Sequence, residues 1–331
     1  MMEKPSRNLA LDLVRVTEAG ALAAGRWMGR GQKEAGDQAA VDGMRLVMNS
    51  LDIDGVIVIG EGEKDEAPML FNGEKLGNGK GPKVDIAVDP VEGTRLLAEG
   101  RANSVATVAL AESGSMFNPG PIVYMYKIAV GPQAKGHIDL DAPIEVNLKA
   151  VARAKGADID DLTVVILERP RHQELIQKVR ETGARIRLIT DGDVAGAIMT
   201  AHEDAGIDLL VGIGGTPEGV LAACALRCMG GEIQGRLWPR NDDEAEQARA
   251  QGYDLERVLE IDDLVKSDDV FFALTGITDG ELLQGVKYYG QGARTHSLVM
   301  RGRTGTVREI IATHRWEKLM TLSEIPYDRI G

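Results

Sequence analysis

Aromatic side chains are scarce: four Phe, three Trp and six Tyr make up 4% of the 331 residues, so a core is left to Val, Ile, Leu, Ala and Met. Cysteine is rarer still. Cys224 and Cys228 lie four apart on one predicted helix, which stacks them on one face. No second pair exists to complete a zinc site, so they read as buried structural thiols. No apolar run reaches the length needed to span a bilayer. The charged start Met1–Arg7 leads into a broken amphipathic segment rather than the apolar stretch of a signal peptide, and a soluble, cytoplasmic protein is expected. Basic residues are in deficit: 38 Lys and Arg against 51 Asp and Glu leave a net charge of −13. That balance argues against nucleic acid as a partner and is compatible with an acidic site that collects cations.

Glycine is abundant, with forty residues that imply many turns and close backbone approaches. The chain is long enough for two domains or one large one. Its organising stretch is Val84-Asp85-Ile86-Ala87-Val88-Asp89-Pro90-Val91-Glu92-Gly93-Thr94. Val84–Val88 reads as a buried strand, and Pro90, which cannot donate a ladder hydrogen bond, is expected to end it. Asp89 and Glu92 then converge on a tight turn. Like charges about 4 Å apart repel by about 4 kcal/mol at an effective dielectric of roughly 20, so one acid is protonated or a cation sits between them. A strand-end acid pair followed by Gly93-Thr94 suggests a divalent metal with a phosphate beyond it; the alternative is a solvated turn.

Asn8–Met28 has helical apolar spacing, Gly29–Gly36 reads as a loop carrying Lys33, and Asp37 opens a second helix. As a helix opener Asp37 is either an N-cap or a carboxylate turned toward a metal. Val56–Ile59 is a second short strand ending in acids, Gly60-Glu61-Gly62-Glu63-Lys64-Asp65-Glu66, which is either a solvated acidic loop or part of the same site. Ser104–Leu110 and Val123–Val130 read as strands, with Tyr124 and Tyr126 on one face of the latter. A helix over Pro143–Gly156 marks a boundary, dividing the chain into a metal-binding α+β domain, 1–145, and an α/β domain with the substrate phosphate site, 146–331, whose final strands either close the second sheet or return to the first domain. Beyond it strands at Leu162–Leu167, Arg185–Thr190 and Asp208–Ile213 alternate with helices at Arg171–Thr182, Val194–His202 and Pro217–Met229, the pattern of an α/β layer with a substantially parallel sheet. Ligands of such sheets sit beyond the carboxyl ends of the strands. Those ends carry Glu168-Arg169-Pro170-Arg171-His172, Asp191-Gly192-Asp193 and Gly212-Ile213-Gly214-Gly215-Thr216-Pro217-Glu218-Gly219. The two arginines read as phosphate receivers. The glycine-rich turn matches neither a dinucleotide fingerprint nor a Walker loop, and it offers backbone N–H groups to phosphate. Glu218 in the following first turn is a helix-dipole partner or a ligand. From Glu232 onward the chain is mostly β, with strands expected at Val270–Leu274, Val286–Tyr289, Ser297–Met300 and Val307–Thr313 and a polar excursion at Asp242–Gly252.

Taken together in this order, the segments Gly60–Glu63 with Asp65–Met69, Asp85–Thr94, Arg169–Ile176, Asp191–Ala195 and Gly212–Gly219 resemble those of the class II fructose-1,6-bisphosphatases. These belong to the lithium-sensitive, metal-dependent sugar-phosphatase superfamily that includes inositol monophosphatase. The resemblance extends to about His314. It implies a layered α-β-α-β-α sandwich of two α/β domains with the active site between them. It implies metal ligands at Asp37, Glu61, Asp89, Glu92 and Glu218. Substrate contacts are implied at Glu92, Gly93, Thr94, Tyr124, Arg169, Pro170, Arg171, Asp191, Gly192, Asp193 and Gly215. Thr94 matches the hydroxyl that positions the attacking water, and Lys33 and Asp65 match polar residues close to the site. Homodimers or homotetramers are the family's habit.

The residues agree with that implication. Five carboxylates without a His–Cys set make an all-oxygen site suited to Mg²⁺ or Mn²⁺, two or more ions per site. The expected reaction is hydrolysis of the 1-phosphate of fructose 1,6-bisphosphate, a gluconeogenic step. Sedoheptulose 1,7-bisphosphate, or an inositol or nucleotide phosphate, is the rival substrate. A non-catalytic sugar-phosphate sensor is the rival of another class, and a sensor has no need of Thr94.

Overall fold

The computed structural model describes residues 8–62 and 69–329. In chain order the elements begin with α1 (Ala10–Ala24), a 3₁₀ turn at Gly25–Trp27, α2 (Lys33–Met48), β1 (Asp54–Ile59), β2 (Lys75–Leu76), β3 (Lys83–Glu92), α3 (Thr94–Glu99), β4 (Val105–Glu112) and β5 (Tyr124–Val130). The middle of the chain gives α4 (Ile144–Lys155), β6 (Thr163–Leu167), α5 (Gln173–Glu181), β7 (Arg185–Ile189), α6 (Asp193–Met199), β8 (Leu209–Gly215), α7 (Thr216–Met229) and β9 (Glu232–Trp238). It closes with α8 (Asp242–Ala250), α9 (Ile261–Leu264), β10 (Phe271–Gly276), β11 (Lys287–Tyr289), β12 (Gly292–Arg301), β13 (Thr306–Arg315) and α10 (Trp316–Leu319).

The strands form two sheets. The larger runs β11-β12-β10-β4-β3-β1-β2, with β13 also paired to β12; the smaller runs β7-β6-β8-β5-β9. Within the smaller sheet β6 is parallel to β7 and β8, whereas β5 is antiparallel to β8 and β9. Sheet membership crosses residue 145 in both directions. β5, from before that point, joins the smaller sheet, and β10 to β13, from after it, return to the larger one.

The layers follow from which faces are apolar. α1 and α2 bury Leu13, Leu22, Met44 and Met48 against one face of the larger sheet. α6 and α7 lie between the sheets, where Val194, Ile198, Val220, Leu221 and both cysteines meet side chains of β3, β5, β8 and β10. α4 and α5 cover the far face of the smaller sheet through Leu148, Val151, Ile176 and Val179. The result is the expected five-layer α-β-α-β-α sandwich. Cys224 and Cys228 are buried free thiols in its middle layer, and burial pushes the Cys224 thiol up to about 12. Among the described residues no helix is long and apolar enough to cross a membrane.

Three local expectations need correction. β3 does not stop at Pro90: it continues to Glu92 through a register shift, with Asp89 opposite Thr107 and Glu92 opposite Val105. A bulge is one of the few places where a strand tolerates a residue without an N–H, and it turns both acids toward the site. α2 begins at Lys33 rather than Asp37, after Gln32, so Asp37 lies inside the helix and caps nothing. Gly36, which reads as a loop residue, is there for contact: a Cβ would lie 2.9 Å from Leu97 Cδ2 and 3.3 Å from Trp27 Cβ. Finally, Gly212–Gly215 is not a turn but the end of β8, and α7 follows it directly.

Candidate active site

The carboxyl ends of β1, β3, β6, β7 and β8 open into one cleft of about 790 Å³, closed on its remaining side by the start of α2. Glu61 enters from the end of β1, Asp89 and Glu92 from the bulged end of β3, and Glu218 from the first turn of α7. Asp37 reaches in from α2. Carboxylate oxygens of Asp89, Glu92 and Glu218 all lie within 4.8 Å of one another. Asp37 and Glu61 share a hydrogen bond, and Glu61 feels the charges of Asp37 and Glu218. Five carboxylates contributed by four separate elements therefore form one electrostatic unit.

Every member is held up toward protonation. Burial comes first in each case, and repulsion from neighbouring acids adds to it. Asp37 is raised to about 6. Glu61 is raised to about 8, with Asp37 and Glu218 adding to burial. Burial and then the charges of Asp193 and Glu92 raise Glu218 to about 7. Asp89 stands well above the usual carboxylate range through burial and then Glu92, Glu61 and Glu218. Glu92 is raised by burial and opposed by a hydrogen bond with Asp89 and by the Val194 N–H, which donates to its Oε1 at 3.0 Å. Glu218 Oε2 is buried and has no hydrogen-bond partner among the described residues. Gly215 makes room for it, since a Cβ there would lie 1.6 Å from that oxygen. An orphan anionic oxygen in a nest of oxygens, with neither sulfur nor imidazole among the five, fits a hard divalent cation.

The rim is cationic. Arg169 Nη2 donates to Asp191 Oδ1 at 2.9 Å, while Arg95 Nε donates to Asp191 Oδ2 at 3.1 Å and Arg95 Nη2 to the Thr190 carbonyl. Arg171 donates to the Ile213 carbonyl and lies over the Tyr124 ring at 5.0 Å from its centroid. The turn bearing these arginines is pinned by buried His172. Its Nδ1–H donates to the Leu167 carbonyl and its Nε2 accepts from the Ile213 N–H, tying the ends of β6 and β8. Lys33 lines the opposite wall, exposed. Thr94 Oγ1 donates to the Val91 carbonyl at 3.1 Å.

The family model for bacterial fructose-1,6-bisphosphatase, glpX-encoded, matches residues 7–314. The chain belongs to this family. Its relatives include "Fructose-1,6-bisphosphatase 1 class 2" of Escherichia coli strain K12, 46% identical over 321 residues that span 93% of this chain and 95% of that protein. "Fructose-1,6-bisphosphatase class 2" of Shigella flexneri matches with the same identity and coverage.

Of the residues that the likeness to class II bisphosphatases implies, the structure brings Lys33, Asp37, Glu61, Asp89, Glu92, Gly93, Thr94, Tyr124, Arg169, Arg171, Asp191, Gly192, Asp193, Gly215 and Glu218 to one cleft. Asp65 lies outside the described residues. Pro170 sits in the 3₁₀ turn beside the arginines, exposed. Asp85, the first acid of the organising motif, points elsewhere and accepts from the Met116 N–H at 3.0 Å. Three residues escaped the sequence reading. Arg95 follows the motif by one position, and His172 passed as part of a polar strand end. Lys127, buried in the otherwise apolar strand Tyr124–Val130, carried the clearest signal: a charge where the pattern calls for core.

Proposed function

We propose that this class 2 bisphosphatase hydrolyses the 1-phosphate ester of fructose 1,6-bisphosphate to fructose 6-phosphate and inorganic phosphate. What supports it, beside the family, is a floor of five carboxylates and a rim of Arg169 and Arg171 within one cleft. A ligand with two phosphates needs both: one phosphate over bound cations and one held by guanidinium forks.

Asp37, Glu61, Asp89, Glu92 and Glu218 would hold Mg²⁺ or Mn²⁺. Bound there, two or more such ions would polarise the phosphoryl group, make a water acidic and neutralise the leaving oxygen. Thr94 spends its hydroxyl proton on the Val91 carbonyl, so its oxygen accepts a hydrogen from the attacking water and aims the water's lone pair. Arg169 and Arg171 grip the phosphate that is not cleaved, and the Tyr124 ring beneath Arg171 keeps that guanidinium in place. Asp191, Gly192, Asp193 and the Gly93 and Gly215 backbones border the sugar. Lys33 draws the scissile phosphate from the open side. Cytoplasmic placement and a homodimer or homotetramer belong to the same reading, the latter checked by sedimentation.

Phosphate release measured over fructose 1,6-bisphosphate, sedoheptulose 1,7-bisphosphate and an inositol monophosphate, with Mg²⁺ and Mn²⁺, tests the reading. Fructose 1,6-bisphosphate should give the largest kcat/KM. Binding without turnover would mark a sensor instead.

A further inference from the structure

Among the described residues, Lys127 is fully enclosed, 2% exposed, a lone ammonium among side chains that are otherwise mostly apolar. It lies mid-strand in β5, opposite Gly212 on β8 and Gly235 on β9. Its ammonium lies 2.7 Å from Asp193 Oδ2 and donates to the Gly215 carbonyl at 2.9 Å. Gly214 is cut to this arrangement: a Cβ there would lie 1.9 Å from Asp193 Oδ2 and 3.1 Å from Lys127 Cε. The glycine run at the end of β8 thus houses an ion pair as well as bordering the cleft.

Asp193 stands against the carboxylate cluster. Its charge raises both Glu92 and Glu218, while the Lys127 charge opposes it at both. A sixth carboxylate this close to a cation site would turn to the cation unless something else claimed it. An enclosed ammonium with a short path to one oxygen does so at the lowest reorganisation.

We propose that Lys127 is a positioning residue that holds Asp193 out of the cation cage, so that five carboxylates rather than six enclose the bound cation. The proposal rests on reading the cluster as a divalent-cation cage. It predicts opposite effects from the two halves of the pair, because each single change leaves one uncompensated buried charge beside the cage.

The test is titration of metal-free protein with Mn²⁺ at pH 8. Lys127→Met should tighten Mn²⁺ binding by about 5-fold or more, and Asp193→Asn should weaken it by a similar factor. The double variant, which removes both charges and so spares the fold an unpaired one, should return to within about 3-fold of wild type. A residue that merely fills the sheet would not tighten binding when removed. Unchanged or weaker Mn²⁺ binding by Lys127→Met would overturn the proposal. Should that variant not fold, a double variant differing from wild type by about 10-fold or more would do the same. Wild-type protein that takes up no Mn²⁺ would instead remove the cage reading, whereas wild-type uptake unaffected by Lys127→Met would remove only the role of Lys127.

Discussion

At the scale of single residues, the site works against its own stability. Asp89 and Glu92 sit on one bulge; both are raised by burial, Asp89 then by the charge of Glu92 and Glu92 by that of Asp193. Asp89→Asn or Glu92→Gln should therefore do two opposite things. Turnover of fructose 1,6-bisphosphate should fall by about 10³-fold or more, because a cation ligand is lost. The midpoint of thermal unfolding of metal-free protein should rise by roughly 2–4 °C, the amount that about 1 kcal/mol of relieved repulsion produces in a large domain. Differential scanning calorimetry on stripped protein reads the second effect, and a fall in the midpoint would contradict the charge assignment. Arg171 acts otherwise. Its guanidinium is already placed over Tyr124 and against the Ile213 carbonyl, so it binds the ground state and the transition state alike. Arg171→Ala should raise KM by about 10-fold with kcat little changed, in steady-state assays; a selective loss of kcat would show that it touches the reacting phosphate.

At the scale of elements, sequence pattern located almost every strand and helix that carries the site, since strand-end acids and arginines mark where apolar periodicity stops. It misplaced the details that depend on contact. Pro90 signals a strand end, but pairing of β3 with β4 carries the strand past it through a bulge. Gly36 signals a loop, yet it is a helical residue pressed against Leu97. Gly212–Gly215 suggests a phosphate loop, whereas from within β8 Gly212 makes room for His172, Gly214 for Lys127 and Asp193, and Gly215 for Glu218. β9 and the return of β10 to β13 to the larger sheet were not legible, because alternation of apolar residues says that a strand is half-buried and not which strand it joins. The site survived these errors because its acids sit at strand ends whichever sheet each strand enters. A test at this scale is Gly215→Ala. Its backbone is ordinary, φ −64°, so only the clash with Glu218 matters. Mn²⁺ affinity should fall by about 10-fold or more through the displaced ligand, read by titration calorimetry. Unchanged affinity would show that Glu218 does not hold the ion.

For the whole molecule, the buried acids tie stability to pH and to cations. Glu61 and Glu218 move from 4.5 unfolded to about 8 and about 7 folded, so the native state holds more protons between these limits. Their contribution is complete below about pH 4.5 and is lost as pH rises through 7 to 8. Glu18, raised to about 7 by burial beneath the larger sheet, adds the same slope away from the site. Metal-free protein should thus melt at a lower temperature at pH 8.5 than at pH 5.5. Saturating Mn²⁺ should remove most of that difference, because it binds the ionised carboxylates and adds its own binding energy; a slope unaltered by Mn²⁺ would separate the acids from the cation. The joining of cation floor to arginine rim in one cleft is tested most directly by following products from fructose 1,6-bisphosphate with Mn²⁺ or Mg²⁺. Inorganic phosphate and fructose 6-phosphate should appear in equal amounts and only with the divalent ion present. No release, or release that leaves fructose 1-phosphate, would contradict it.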